Sequence, residues 1–401
     1  MTRGFPRIIG EKGCFLVGSE RMGKLILTGI ELYTPWEVIR PATLEVVGGR
    51  VRRITEGKDH RGENLDGAIV APGFIDLHIH GYGGLDINSG DPGEILSLAE
   101  LLPRYGVTAF LPTAVTAPHE KLLEISRAVA EAMVAQGDRP HGARILGLHL
   151  EGPYINPNRA GAQNPELIRP PDWDEFRGYW SASRGKIRAI TLAPELPGAL
   201  EFIARATALG ITVSIGHTDA TYAEAQEAIA AGARRATHLF NAMPPVHHRA
   251  PGAAIACLLA PEVTVELIPD RVHIADPMLR LAWQLAGTER TVLVSDAIAA
   301  GGLADGRYRF GGQGVEVRGG VARLEDGTLA GGTLLLDEGV RNALAIGIPL
   351  REAVAAATAV PARACGLGEL GTLAPGSLAD FLVLDRKLNI LRVYIAGTRL
   401  V

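Results

Sequence analysis

Gly73-Phe-Ile-Asp-Leu-His-Ile-His80 follows Pro72 and reads as a buried β-strand that ends in two histidines. Apolar, β-branched runs of the same kind recur at 107–113, 145–152, 187–194, 212–217, 235–239, 264–268 and 291–296. Helical patterns fit the gaps, for example at 92–105, 120–136, 200–209, 221–231 and 333–346. Strands that alternate with helices form parallel sheets with crossover connections. Eight such units predict an α/β fold, a (β/α)8 TIM barrel over residues 71–370. The alternative is a doubly wound open sheet with an additional domain.

Outward from the barrel, residues 22–70 hold short β-rich runs at 25–28, 43–47, 50–54 and 68–70, and strand-like runs return at 376–384 and 393–397. The two ends are expected to share a sheet, so 22–70 and 371–401 are read as one small β-sandwich domain. Residues 1–21 are read as an extension of unknown role, because they lack the apolar core and cleavage site of a signal peptide.

Composition narrows the function classes. With 401 residues, 47% hydrophobic and 21% charged, the chain is an ordinary globular protein. Its 40 basic and 44 acidic residues leave a net charge of −4, with no long basic run to bind nucleic acid. The apolar stretches, such as 253–260, fall short of the roughly 18 residues that a membrane span needs. Cys14, Cys257 and Cys365 are isolated, which argues against a disulfide framework or thiolate metal site and favours a reducing, cytoplasmic setting.

In a barrel of this kind the chemistry sits at the C-terminal ends of the strands. Strand one ends in His78 and His80, strand three in Glu151, strand five in His217 and strand six in His238; strand seven leads to His273 and strand eight ends in Asp296. Alternation along a strand puts His78 and His80 on one side, as two nitrogen donors to one metal require. Nitrogen and oxygen donors without cysteine suit Zn²⁺, with Fe²⁺, Mn²⁺ or Co²⁺ as alternatives. A metal lowers the pKa of water from about 15.7 toward about 7, and Asp296 is placed to move the proton.

The segment 72–81 resembles the first-strand signature of the amidohydrolase superfamily. His149-Leu-Glu-Gly-Pro-Tyr-Ile-Asn156, Gly216-His-Thr-Asp-Ala220, Ala236-Thr-His-Leu-Phe-Asn-Ala-Met243 and Val294-Ser-Asp-Ala297 narrow the likeness to the N-acetylglucosamine-6-phosphate deacetylase family, from about residue 22 to the end. The resemblance implies that Glu151, His217 and His238 are the main metal ligands, that His78 and His80 match a second metal position, and that Asp296 is the acid/base. It implies that His273 polarises the acetyl carbonyl, and that Asn241, the Ala242 backbone and Arg249 contact the sugar phosphate. One or two ions are open, and a homodimer in which Arg249 reaches the neighbouring site is implied as well. The expected partner is a phosphorylated N-acetyl amino sugar. Gln163 stands where the family commonly carries histidine near the sugar, which keeps an N-acetylgalactosamine 6-phosphate substrate or another N-acyl sugar open.

The remaining signals are weaker. Gly18-Ser-Glu-Arg-Met-Gly-Lys24-Leu25 approaches a phosphate-binding loop but lacks the Ser/Thr hydroxyl, and a strand follows it. Strand four carries no lysine at its C-terminal end, which disfavours a carbamylated-lysine metal bridge and leaves Glu151 as the better bridging carboxylate. Asp219 is expected to cap the following helix, and His149 to support the metal ligands from behind. A non-catalytic sugar-phosphate-binding barrel is the reading from another class, and Asp296 speaks against it because a pure binder needs no proton shuttle.

Overall fold

The computed structural model describes residues 23–137 and 141–401; the extension at 1–21 lies outside the described residues. The eight strands stand at Phe74–Ile79, Val107–Val115, Leu148–Glu151, Ile187–Leu192, Thr212–Ile215, Arg235–Ala236, Thr264–Leu267 and Thr291–Leu293. Each pairs in parallel with the next in chain order. The last strand returns to the first: the Asp296 N–H donates to the His78 carbonyl at 2.9 Å, and the His80 N–H to the Ala297 carbonyl at 2.8 Å. That return makes a nearly closed barrel and disposes of the open-sheet alternative. Inside it, Ile75, Leu77, Leu111, Ala189, Val292 and Val294 pack into an apolar plug, closed by Val360 and Ala362 of the helix Ala359–Ala364.

Several strands are shorter than their apolar runs, for a local reason. The run at 145–152 is interrupted after Arg144–Ile145, where Gly147 takes φ +140°. The runs at 212–217, 235–239 and 291–296 end early because His217, His238 and Asp296 adopt φ of +48°, +26° and +49°. Non-glycine residues in this region cost on the order of 1–3 kcal/mol each and persist where the surroundings fix them. Here the turn ends the ladder and aims three polar side chains over the barrel mouth.

The helices follow their sequence signals. Asp91 caps Pro92–Leu101, whose proline at the first position needs no N–H partner. Thr221 and Glu224 form a capping box at the start of Tyr222–Ala231. The cap is therefore Thr221 and not Asp219, which instead accepts from Arg159 Nε at 2.6 Å. The helix expected over 333–346 begins later, at Leu336–Ala345. Among the described residues no helix is long and apolar enough to cross a membrane.

Both ends of the described chain build a second, eight-stranded sheet, as expected. Ile69–Pro72 lies between Lys24–Tyr33, in parallel, and Phe381–Leu384, antiparallel. The far edge curls back through hydrogen bonds from Val51 N–H to Ser377 carbonyl and from Ala379 N–H to Gly49 carbonyl, each 2.9 Å. Leu27, Ile30, Leu44, Val70, Phe381 and Tyr394 fill its own core.

One element has no counterpart in the expected order. After the eighth barrel strand, Gly306–Phe310, Gln313–Arg318 and Val321–Arg323 form an antiparallel meander. Its first turn uses Gly311 and Gly312 at φ +55° and +83°, the pair of left-handed residues that a two-residue hairpin favours.

Candidate active site

Two groups of donors meet at the mouth of the barrel: His78, His80 and Asp296, and Glu151, His217 and His238, with the donor atoms of each group within 4.8 Å of one another. Glu151 stands between them. Its Oε1 lies 3.1 Å from His217 Nε2, 2.9 Å from His238 Nε2 and 3.4 Å from His78 Nε2, and its Oε2 lies 3.5 Å from His80 Nε2. His80 Nε2 also meets Asp296 Oδ1 at 3.1 Å and His78 Nε2 at 3.2 Å.

The far sides of the imidazoles fix what the near sides offer. His217 Nδ1 donates to the Arg159 carbonyl at 2.7 Å, and His80 Nδ1 to the Thr113 carbonyl at 3.0 Å. His78 Nδ1 faces the buried Glu266 carboxylate at 3.1 Å. A carbonyl or carboxylate oxygen can only accept, so each of these rings, when neutral, turns an Nε2 lone pair toward the carboxylates. Lone pairs facing carboxylate oxygens at hydrogen-bond distance call for a cation between them. Ligands at about 2.0–2.1 Å from a tetrahedral ion stand about 3.3 Å apart, close to the spacings here. The residues therefore fit a divalent metal with nitrogen and oxygen ligands.

Burial works against charge on Glu151, but positive charge at His78 and His217, which a bound cation would replace, outweighs it and holds the carboxyl well below its usual range. Asp296 is likewise held low, by His78 and His80 against burial, so it is ionised at neutral pH. Behind the ligands, burial raises the Asp76 carboxyl to about 6, and Asp76 accepts the His78 N–H at 3.2 Å. His149 is kept neutral by burial, donates or accepts at Thr191 Oγ1 at 2.8 Å and packs edge-on against the His78 ring.

A cavity of about 230 Å³ opens on these groups. Its wall includes Gln163, Asn241, Ala242 and His273, together with Phe310, Thr328 and Leu329 from the meander and its continuation. Gln163 is engaged at both ends of its amide: Nε2 donates to Glu151 Oε2 at 2.9 Å, and Oε1 accepts the Thr116 N–H at 2.8 Å. Gly161, at φ +59°, lets this loop approach the ring of His217, because a Cβ there would sit 3.2 Å from its Cε1. Arg249 is not part of this wall. It lies on an exposed loop with Nη1 2.7 Å from His248 Nε2, and none of the lining residues is Lys or Arg.

Four contributors escaped the reading of the sequence. Glu266 is a charged residue in the apolar strand Thr264–Leu267, a signal that was available. Asp270, beside His273, shares a short loop with it. Glu195 accepts from the Asp219 N–H at 2.6 Å and from Asn156 Nδ2 at 2.8 Å, bracing the turn after His217. Phe310 stacks edge-on to His80, with ring centroids 5.0 Å apart, and only the alternation of 306–318 announces it.

The likenesses to known proteins agree with this site. Residues 69–400 match the model of the amidohydrolase family. The chain is 37% identical to the N-acetylglucosamine-6-phosphate deacetylase of Bacillus subtilis (strain 168), over 79% of this chain and 82% of the relative. It is 37% identical to the N-acetylgalactosamine-6-phosphate deacetylase of Escherichia coli O157:H7, over 83% and 88%. Among solved structures, an Asp-to-Ala mutant of the Mycobacterium smegmatis N-acetyl-D-glucosamine-6-phosphate deacetylase, in complex with N-acetyl-D-glucosamine-6-phosphate, superimposes with a TM-score of 0.89 at 39% identity, covering 94% of this chain and 99% of that one. Coverage of this extent across barrel, terminal sheet and site places the chain in the amidohydrolase family, in the branch that holds these amino-sugar-phosphate deacetylases.

Proposed function

We propose that the protein is a metal-dependent deacetylase that hydrolyses the acetamide of N-acetylglucosamine 6-phosphate to glucosamine 6-phosphate and acetate, in the breakdown of amino sugars. The observation that carries this reading is the convergence of Glu151, His217 and His238 beside His78, His80 and Asp296 on one cavity. Glu151, His217 and His238 would hold one ion, and His78 and His80 a second where two are bound; Zn²⁺ suits this donor set best. Such an ion supplies a Lewis acid and acidified water at neutral pH.

The chain's own residues account for the rest. Asp296 is ionised, takes the proton of the attacking water and delivers it to the departing amine. His273 meets the amide carbonyl oxygen and stabilises the charge that develops on it. Asn241, the Ala242 backbone and Gln163 border the sugar. The cavity wall holds no Lys or Arg, which leaves the phosphate to Arg249, whose planar fork donates two parallel hydrogen bonds; a homodimer would bring that loop to the neighbouring copy's site. We read residues 22–70 and 371–401 as the β domain and 71–370 as the catalytic barrel, in a cytoplasmic enzyme.

The galacto epimer is the second reading, favoured by the Escherichia coli relative and by Gln163. Acetate release from both 6-phosphates and from unphosphorylated N-acetylglucosamine, by metal-loaded protein, tests the assignment. Faster turnover of the gluco 6-phosphate supports the first reading and faster turnover of the galacto epimer the second. No acetate from any of them, by protein shown to hold metal, overturns both.

A further inference from the structure

His273 is tied to Asp270 more closely than a cavity-lining histidine needs to be. Its Nδ1 lies 2.6 Å from Asp270 Oδ2, and the other oxygen of that carboxylate accepts the N–H groups of Val272 and His273 itself, at 2.9 and 2.8 Å. Both side chains are shielded, 5% and 10% exposed. Arg271, between them at φ +65°, turns outward to pair with Asp276, so the loop folds Asp270 back under the imidazole. One oxygen of Asp270 is thus engaged by the ring and the other by the backbone that carries it.

The arrangement has a chemical consequence. With its proton on Nδ1, a neutral His273 would present an Nε2 lone pair to the cavity, and a lone pair repels a carbonyl oxygen. Only the doubly protonated ring can donate to that oxygen. We propose that Asp270 is the positioning residue that holds His273 as an imidazolium aimed into the cavity, so that Nε2–H meets the oxygen of the scissile amide. This rests on the role given to His273 above.

The groups facing His273 bear on its charge in opposite ways. Burial disfavours it, as does Arg323 from the meander; Asp270 from its own loop and Asp296 from the end of the eighth strand favour it. The sum leaves the pKa of His273 raised above its ordinary value. A raised pKa means that the proton is kept at neutral pH and lost only as the pH climbs further.

The test uses the full-length, metal-loaded enzyme. The pH profile of kcat/KM is measured for the native protein, Asp270→Asn, Asp270→Glu and His273→Asn, and the His273 ring is titrated by NMR, its signal assigned by loss in His273→Asn. The expected result is that Asp270→Asn moves the imidazole titration and the alkaline limb of the profile together to lower pH. Above that limb activity falls by about 10²–10³-fold, the cost of losing one such donor, while Asp270→Glu recovers part of it. An unmoved titration, or a loss that is equal at all pH values, overturns the proposal. If Asp270→Asn fails to fold, Asp270→Glu serves alone, since a longer carboxylate must still shift the limb. Native turnover by His273→Asn would instead remove the role of His273 itself, and this proposal with it.

Discussion

His217 and His238 point their Nε2 atoms at each other across 3.1 Å, and both at the same oxygen of Glu151. With both rings neutral, His217 spends its proton from Nδ1 on the Arg159 carbonyl, so at most one proton, from His238, is available to three acceptors. A divalent ion satisfies all three. Stripping with a chelator should therefore abolish acetate release, and readdition of metal should restore it. Since the ion binds the folded chain in preference to the unfolded one, saturation at about 100 times Kd should add about 2.7 kcal/mol of stability. Melting curves with and without metal read that gain, and Glu151→Ala should lose it.

Asp296 leaves the eighth strand through a left-handed turn and ends 3.1 Å from His80 Nε2. Its charge is maintained by His78 and His80 despite burial. Substitution by Asn keeps the shape and removes the base, so kcat should fall by about 10²–10⁴-fold while metal content stays near native. Elemental analysis alongside turnover separates the two. A native rate would remove Asp296 as the proton carrier.

What could be read beforehand was what repeats. Eight apolar runs, with a polar residue at the end of nearly every one, gave both the barrel and the donor set, because strand ends are where a barrel displays chemistry. Less legible was what depends on tertiary packing. Glu266 becomes meaningful only when the closed barrel brings it to His78, 188 positions away in sequence. Asp219 carries a capping residue's chemistry, yet the capping box at Thr221 leaves it to Arg159. The meander escaped because its strands lie outside the βα alternation, although Phe310 reaches His80.

Glu266 offers a test of those hidden supports. Its carboxylate orients His78 through Nδ1 and lies 3.5 Å from the fully buried Arg235. Glu266→Gln should weaken metal affinity by about 10–100-fold, as loss of a ligand's hydrogen-bond partner does elsewhere. The loss should fall more heavily on an ion held by His78 and His80, whose ring the carboxylate orients, than on one held by Glu151, His217 and His238, where Glu266 meets only the His238 backbone N–H, at 3.2 Å. Calorimetric titration of the stripped protein resolves the two, and equal weakening of both would count against the assignment.

Arg249 carries the prediction about phosphate. It sits outside a cavity wall that holds no Lys or Arg. A charged hydrogen-bonding partner is worth about 1.5–3 kcal/mol, so Arg249→Ala should raise KM for the 6-phosphate by about 10–100-fold. The unphosphorylated sugar should show no change. An equal effect on both sugars would mean that Arg249 supports the loop and does not touch the phosphate.

A shielded ion pair helps to fasten the terminal sheet to the barrel. Arg144 donates from Nε to Asp380 Oδ2 at 2.6 Å and from Nη2 to Oδ1 at 3.1 Å, while Oδ1 also accepts the Ala396 N–H at 2.6 Å. The side chains are only 15% and 4% exposed. Asp380→Ala leaves the guanidinium and the Ala396 N–H without their partner in a shielded place, and breaking a buried pair in this way costs about 3–5 kcal/mol. The metal ligands are not touched, so denaturant unfolding should show that loss while the surviving folded fraction keeps its kcat. A change in kcat with unchanged stability would show that the pair acts on the site and not on the joint between sheet and barrel.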